Sequence, residues 1–147
     1  MHVNFYEFNS IDDDKLKYAV ILARYNNEWI FVRHKDRSTW EIPGGRRERN
    51  ESIEETAKRE LYEETGAKTF EQSPLFIYSV THDSGDESYG GLFYSEVAEL
   101  GSLPLESEIG QVSCMKELPS NLTYPSIQPE LWNKGLKKLC IREDRDT

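Results

Sequence analysis

The stretch from Gly44 to Ala67 constrains this chain more than any other. A glycine pair, Gly44-Gly45, breaks the chain after Pro43. Ser52-Ile53-Glu54-Glu55 then has the capping-box form, with Ser52 as N-cap and Glu55 three residues on. Ile53, Ala57 and Leu61 recur at i, i+4 and i+8 and make one apolar face. Gly66 supplies the stop that a helix C-terminus favours. A helix between Ser52 and Gly66 is therefore predicted with both ends marked.

Strand-length runs flank it. Tyr18 to Ala23 is apolar and rich in β-branched residues; Asn26-Asn27 punctuates, and Trp29 to Val32 follows, a hairpin pattern. Residues 1–15 read as an edge strand or loose lead-in. Trp40-Glu41-Ile42 is short and extended. Leu75 to Val80 and Gly91 to Val97 read as strands around the loop Thr81 to Gly90, a hairpin connection or a lid. Gln111 to Met115 is a weaker strand. Pro125 and Pro129 are expected to precede a last helix in which Trp132, Leu136, Leu139 and Cys140 share a face. The fold class is α/β, with a mixed sheet packed between helices. No repeat or low-complexity linker divides the 147 residues, so a single domain, 1–147, is expected.

The chain carries 18 Lys and Arg against 27 Asp and Glu, a net charge of −9, which argues against a grip on duplex nucleic acid. No apolar run approaches the roughly 18 residues of a membrane span. Two distant cysteines, Cys114 and Cys140, suggest neither a disulfide framework nor a metal site and read as buried or half-buried thiols. With no signal-like N-terminus, a cytoplasmic protein is expected.

Glu60, Glu63 and Glu64 fall at i, i+3 and i+4 of the predicted helix, on one surface. Such repulsion is tolerable on a solvated face and useful where a hard divalent cation neutralises it. The context decides between the two. The chain follows G-x5-E-x7-R-E-U-x-E-E-x-G-U, with Leu61 and Ala67 at the apolar U positions and its fixed identities at Gly45, Glu51, Arg59, Glu60, Glu63, Glu64 and Gly66. Those seven identities would coincide by chance with a probability on the order of 10⁻⁸. The sequence resembles the Nudix hydrolase family, MutT-like, through its defining motif.

The resemblance implies an αβα sandwich. It implies an enzyme that cleaves a pyrophosphate link in a nucleoside diphosphate joined to a further group, using Mg²⁺ or Mn²⁺. A nucleoside triphosphate such as an oxidised purine (8-oxo-dGTP-like), giving the monophosphate and pyrophosphate, is the first expectation. ADP-sugar or dinucleoside polyphosphate hydrolysis and a non-catalytic nucleotide sensor stay open. By the family's pattern, Glu60, Glu63 and Glu64 ligate metal, together with the Gly44 carbonyl. Arg59 orients carboxylates, with Glu51, Glu55 and Glu63 as expected partners. The general base comes from the helix or from a later loop, where Glu108 is the candidate and Glu106 its neighbour.

Residues 33–49 hold six Lys or Arg against three Asp or Glu, a basic stretch in an acidic protein. Arg33 and Arg46 are candidate phosphate ligands there, while His34 reads as an ordinary surface histidine. Tyr124-Pro125 followed by Gln128 looks like the segment with which nucleotide-cleaning members read a purine, which makes Gln128 a candidate for the base edge.

Overall fold

The computed structural model describes residues 1–146, of which 141–146 are described by backbone course alone. Seven strands form one mixed sheet between two helices, an αβα sandwich. The elements in chain order are β1 (His2–Tyr6), β2 (Leu16–Tyr25), β3 (Glu28–His34), β4 (Gly44–Arg46), α1 (Ile53–Thr65), β5 (Ala67–Thr81), β6 (Glu87–Leu100), β7 (Ile109–Met115) and α2 (Gln128–Asp146). The sheet order is β1-β5-β6-β2-β3-β7, with β4 paired to β2. All pairs are antiparallel except β2 with β6.

The apolar run in β2 is continuous because both faces of that strand are covered. Ala19, Ile21 and Ala23 join Ile53, Ala57 and Leu61 of α1 in one core. Val20 and Leu22 alternate to the other face and join Leu131, Trp132 and Leu139 of α2. Asn26 and Asn27 both take positive φ, the conformation that closes a two-residue hairpin without splaying its strands.

β2 and β3 pair only next to this turn, at Arg24–Trp29 and Tyr25–Glu28. Beyond it they part, and the segment 41–46 lies between them. Glu41 bridges Val32 on one side, and Pro43 accepts from the Ile21 N–H at 2.9 Å on the other. The close fit explains Gly44, where a Cβ would collide with the Ala19 carbonyl oxygen.

Helix α1 has the expected bounds. Ser52 Oγ accepts from Glu55 N while Glu55 accepts from Ser52 N, and Gly66 closes the helix at φ 79°. Asp13 adds a second cap, accepting from Ile53 N at 3.2 Å and pairing with Arg47 at 2.8 Å.

Several expectations need correction. β5 and β6 run far past Leu75–Val80 and Gly91–Val97, and β5 carries Pro74 at a register shift, where a proline is tolerated. The loop from Thr81 shrinks to a turn in which His82 N donates to Asp86 O, so it is a hairpin connection. Helix α2 begins at Gln128, so Pro129 lies in its first turn, where its missing N–H costs nothing. Cys140 is exposed, and Leu131 and Gly135 take its expected place on the buried face. Cys114 is half-buried. Among the described residues no helix is long and apolar enough to cross a membrane.

Candidate active site

Segment 41–46, the exposed side of α1, the loop 104–108 and the start of α2 enclose a cleft of about 960 Å³. Helix α1 supplies its acidic wall. Glu60 and Glu64 are one turn apart and largely withdrawn from water, with 13% and 11% of their side chains exposed. Burial pushes the Glu60 carboxyl up to about 7 and the Glu64 carboxyl up to about 8. Gly45 shapes this wall, because a Cβ there would occupy the position of the Glu60 carboxylate. Glu63 is more open, with 47% of its side chain exposed.

Arg59 organises these carboxylates. Its Nε and Nη2 donate to the two oxygens of Glu51 at 2.6 and 3.0 Å, a bidentate pair. Nη1 donates to Glu60 at 2.5 Å and to Glu63 at 3.1 Å, and Nη2 also reaches the Arg46 carbonyl at 3.0 Å. The guanidinium holds the Glu51 carboxyl down at about 2. Of the expected partners, Glu51 and Glu63 are in place. Glu55 is not, because its carboxylate is spent on the helix cap.

Glu64 is held from the other direction. Its Oε1 accepts from Gly44 N at 2.9 Å, and its Oε2 lies 3.5 Å from His34 Nε2. The same imidazole nitrogen lies 3.6 Å from Glu41, which Arg37 pairs at 2.8 Å. His34 is therefore no ordinary surface residue but stands between two buried carboxylates. Sequence reasoning passed over Glu41 altogether. Its signal was a lone carboxylate between Trp40 and Ile42 in an extended run.

The remaining candidates divide. Arg46 and Glu108 line the cleft, as does Glu106. Ser107 ties their loop to α1, donating to the Glu63 carbonyl at 2.7 Å. Gln128 lines the cleft from α2, with Oε1 accepting from Ile42 N at 2.8 Å. Arg33 is not brought to the cleft. Its guanidinium donates to Gln111 at 3.4 Å and to the carbonyls of His34 and Arg37. Arg47, another member of the basic stretch, is spent on Asp13 and the Leu16 carbonyl.

The NUDIX domain family model matches residues 15–129. The chain belongs to the Nudix family. A Bacillus subtilis (strain 168) protein, YtkD, provisionally named an 8-oxo-dGTP diphosphatase, is 32% identical over 120 residues, 78% of this chain and 73% of its own. A MutT-like protein of Streptomyces ambofaciens is 38% identical over 63 residues, 43% of this chain and 41% of its own. The solved structure of the Bacillus subtilis pyrophosphohydrolase RppH, in a glutamate-to-alanine variant, superposes with a TM-score of 0.76. It is 26% identical and covers 92% of this chain and 90% of its own. The protein is thus a Nudix hydrolase of the pyrophosphohydrolase kind, and Nudix hydrolases use divalent metal ions.

The acidic wall fits such an ion in chemistry. Its donors are hard carboxylate oxygens, and two of them are desolvated without enough positive charge nearby. Glu64 has no Lys or Arg partner among the described residues, and Arg59 serves Glu51, Glu60 and Glu63 together. As the side chains stand, no three His, Cys, Asp or Glu among the described residues converge to hold an ion, and Arg59 engages both Glu60 and Glu63. An ion would compete with Arg59 for those two carboxylates.

Proposed function

We propose that this Nudix enzyme hydrolyses a purine nucleoside triphosphate to the monophosphate and pyrophosphate. The observation that carries the reading is one cleft whose lining joins the desolvated carboxylates of α1 to apolar side chains, among them Val20, Val80 and Leu131. The first suits a charged polyphosphate with its cation, and the second suits a base. The provisional naming of YtkD for an oxidised purine triphosphate supports the same class.

Glu60, Glu63, Glu64 and the Gly44 carbonyl would hold Mg²⁺ or Mn²⁺. When bound, the ion supplies charge neutralisation and Lewis acidity at the phosphates. Arg59 keeps Glu60 and Glu63 on one side of the helix. Gly44 N–H fixes the rotamer of Glu64. Arg46, at the cleft rim, pairs with the phosphate tail. Glu108, on the loop that Ser107 ties to α1, takes the proton of the attacking water. The water oxygen bonds to phosphorus, the anhydride P–O bond breaks, and pyrophosphate leaves with the electron pair.

The test is a hydrolysis screen of nucleotides with Mg²⁺ and product identification. Nucleoside monophosphate and pyrophosphate from a purine triphosphate are expected. Turnover confined to sugar- or nucleoside-linked diphosphates would refute the proposal.

A further inference from the structure

The three carboxylates that α1 presents to the cleft are not equally engaged. Arg59 donates to Glu60 and to Glu63. Glu64 has the least exposed side chain of the three, yet it has no Lys or Arg partner among the described residues. A desolvated carboxylate without a countercharge draws any guanidinium within reach.

One guanidinium is within reach. Arg37 lines the same cleft, and its backbone is fixed beside His34. Arg37 N donates to the His34 carbonyl at 3.1 Å, and Arg33 Nη1 donates to the Arg37 carbonyl at 2.8 Å. Glu41 takes up the Arg37 guanidinium. Its Oε2 accepts from Nη1 at 2.8 Å, and the Tyr124 side chain stands beside the same group. The other Glu41 oxygen lies 3.6 Å from His34 Nε2, the atom that lies 3.5 Å from Glu64 Oε2. Those two carboxylate oxygens are therefore about 7 Å apart at most, a gap that a change of arginine rotamer covers. Glu41 itself is buried, and two backbone bonds with Val32 pin it in place.

Resting on the reading that the α1 carboxylates hold a divalent cation, we infer that Glu41 is a positioning residue that withholds Arg37 from Glu64. An ion that has to displace Arg59 from Glu60 and Glu63 then finds Glu64 clear of any guanidinium. The role is one of arrangement and not of charge alone. If Glu41 acted only through its negative charge, removing Arg37 would strengthen ion binding by the same factor with or without Glu41. If Glu41 holds Arg37 aside, removing Arg37 changes little in the wild type and much once Glu41 is gone.

The experiment measures Mn²⁺ binding to the nucleotide-free protein, read from the EPR signal of the free ion. It compares wild type, Glu41→Gln, Arg37→Gln and the double variant, with the melting temperature of each recorded alongside. Glu41→Gln should weaken Mn²⁺ binding by about tenfold or more, the usual consequence of losing a group that orients a metal ligand. Arg37→Gln and the double variant should both stay within about threefold of wild type. If Glu41→Gln does not fold, Glu41→Gln/Arg37→Lys takes its place, because lysine offers Glu64 the same charge. Wild-type affinity in Glu41→Gln, no recovery in the double variant, or an equal gain from removing Arg37 in both backgrounds would overturn the inference. A wild type that binds no Mn²⁺ would remove the cation reading, and this inference with it. None of these outcomes depends on which nucleotide is hydrolysed.

Discussion

The Glu60 carboxylate lies where a side chain on residue 45 would have to be. Gly45 therefore acts as a space for Glu60 and not as a flexible joint. Gly45→Ala should fold, because the obstacle is the end of a movable side chain. Its cost falls on function: with Glu60 displaced, turnover should drop by about 100-fold, the usual consequence of a 1 Å misplacement. Melting temperature within a few degrees of wild type, together with lost turnover, is the expected pair of results.

Gly44→Ala should behave oppositely. Here the added Cβ meets the Ala19 carbonyl, which belongs to the sheet and cannot move aside. Overpacking of this sort costs about 1–3 kcal/mol. A lowered denaturation midpoint is expected, measured by urea unfolding, and a midpoint equal to wild type would show that β2 yields.

The contrast between these glycines shows what the sequence could disclose. The ends of α1 were legible because their signals are local: Ser52 and Glu55 satisfy each other, and Gly66 adopts φ 79°. The two faces of β2 were legible as an unbroken apolar run. The pairing of His34 with Glu41 and Glu64 was not, since it depends on β2 and β3 parting to admit residues 41–46. Arg33 misled for the same reason: a basic stretch says how much charge is present but not which side of β3 it leaves by. Cys140 misled because α2 buries a stripe through Leu131, Gly135 and Leu139, one position away from the cysteine.

Metal-free protein should lose stability as pH rises. Glu60 and Glu64 hold protons more tightly folded than unfolded, at about 7 and about 8 against 4.5. Their folded form is thus favoured below pH 4.5 and penalised progressively as pH rises through 7 and 8. Mg²⁺ should remove the penalty. In thermal melts with chelator, the midpoint should fall between pH 5 and pH 8 by several degrees, with each kcal/mol worth about 2–4 °C in a chain of this size. Added Mg²⁺ should flatten the profile. A midpoint that rises with pH in chelator would contradict the burial of these groups.

Arg59→Lys should damage both stability and turnover. Lysine keeps the charge but cannot hold Glu51 with two parallel bonds while reaching Glu60 and Glu63. Loss of these partly buried pairs should cost about 1–3 kcal/mol. The wild-type contribution of Glu51 has the ordinary carboxylate sign: it is present above pH 4.5 and lost as pH falls through about 2. In Arg59→Lys that acid loss should begin at higher pH, which acid titration of tryptophan fluorescence would show.

The most direct measurement is Mg²⁺-dependent release of pyrophosphate from a purine nucleoside triphosphate by wild type, Glu60→Gln and Glu64→Gln. Each variant keeps the shape of the side chain and removes the charge that would hold the cation. A fall of about 100-fold or more in turnover is expected for both, some 3 kcal/mol of lost transition-state stabilisation, with melting temperature held or raised in chelator. Turnover equal to wild type in both variants would contradict the assignment of the α1 carboxylates.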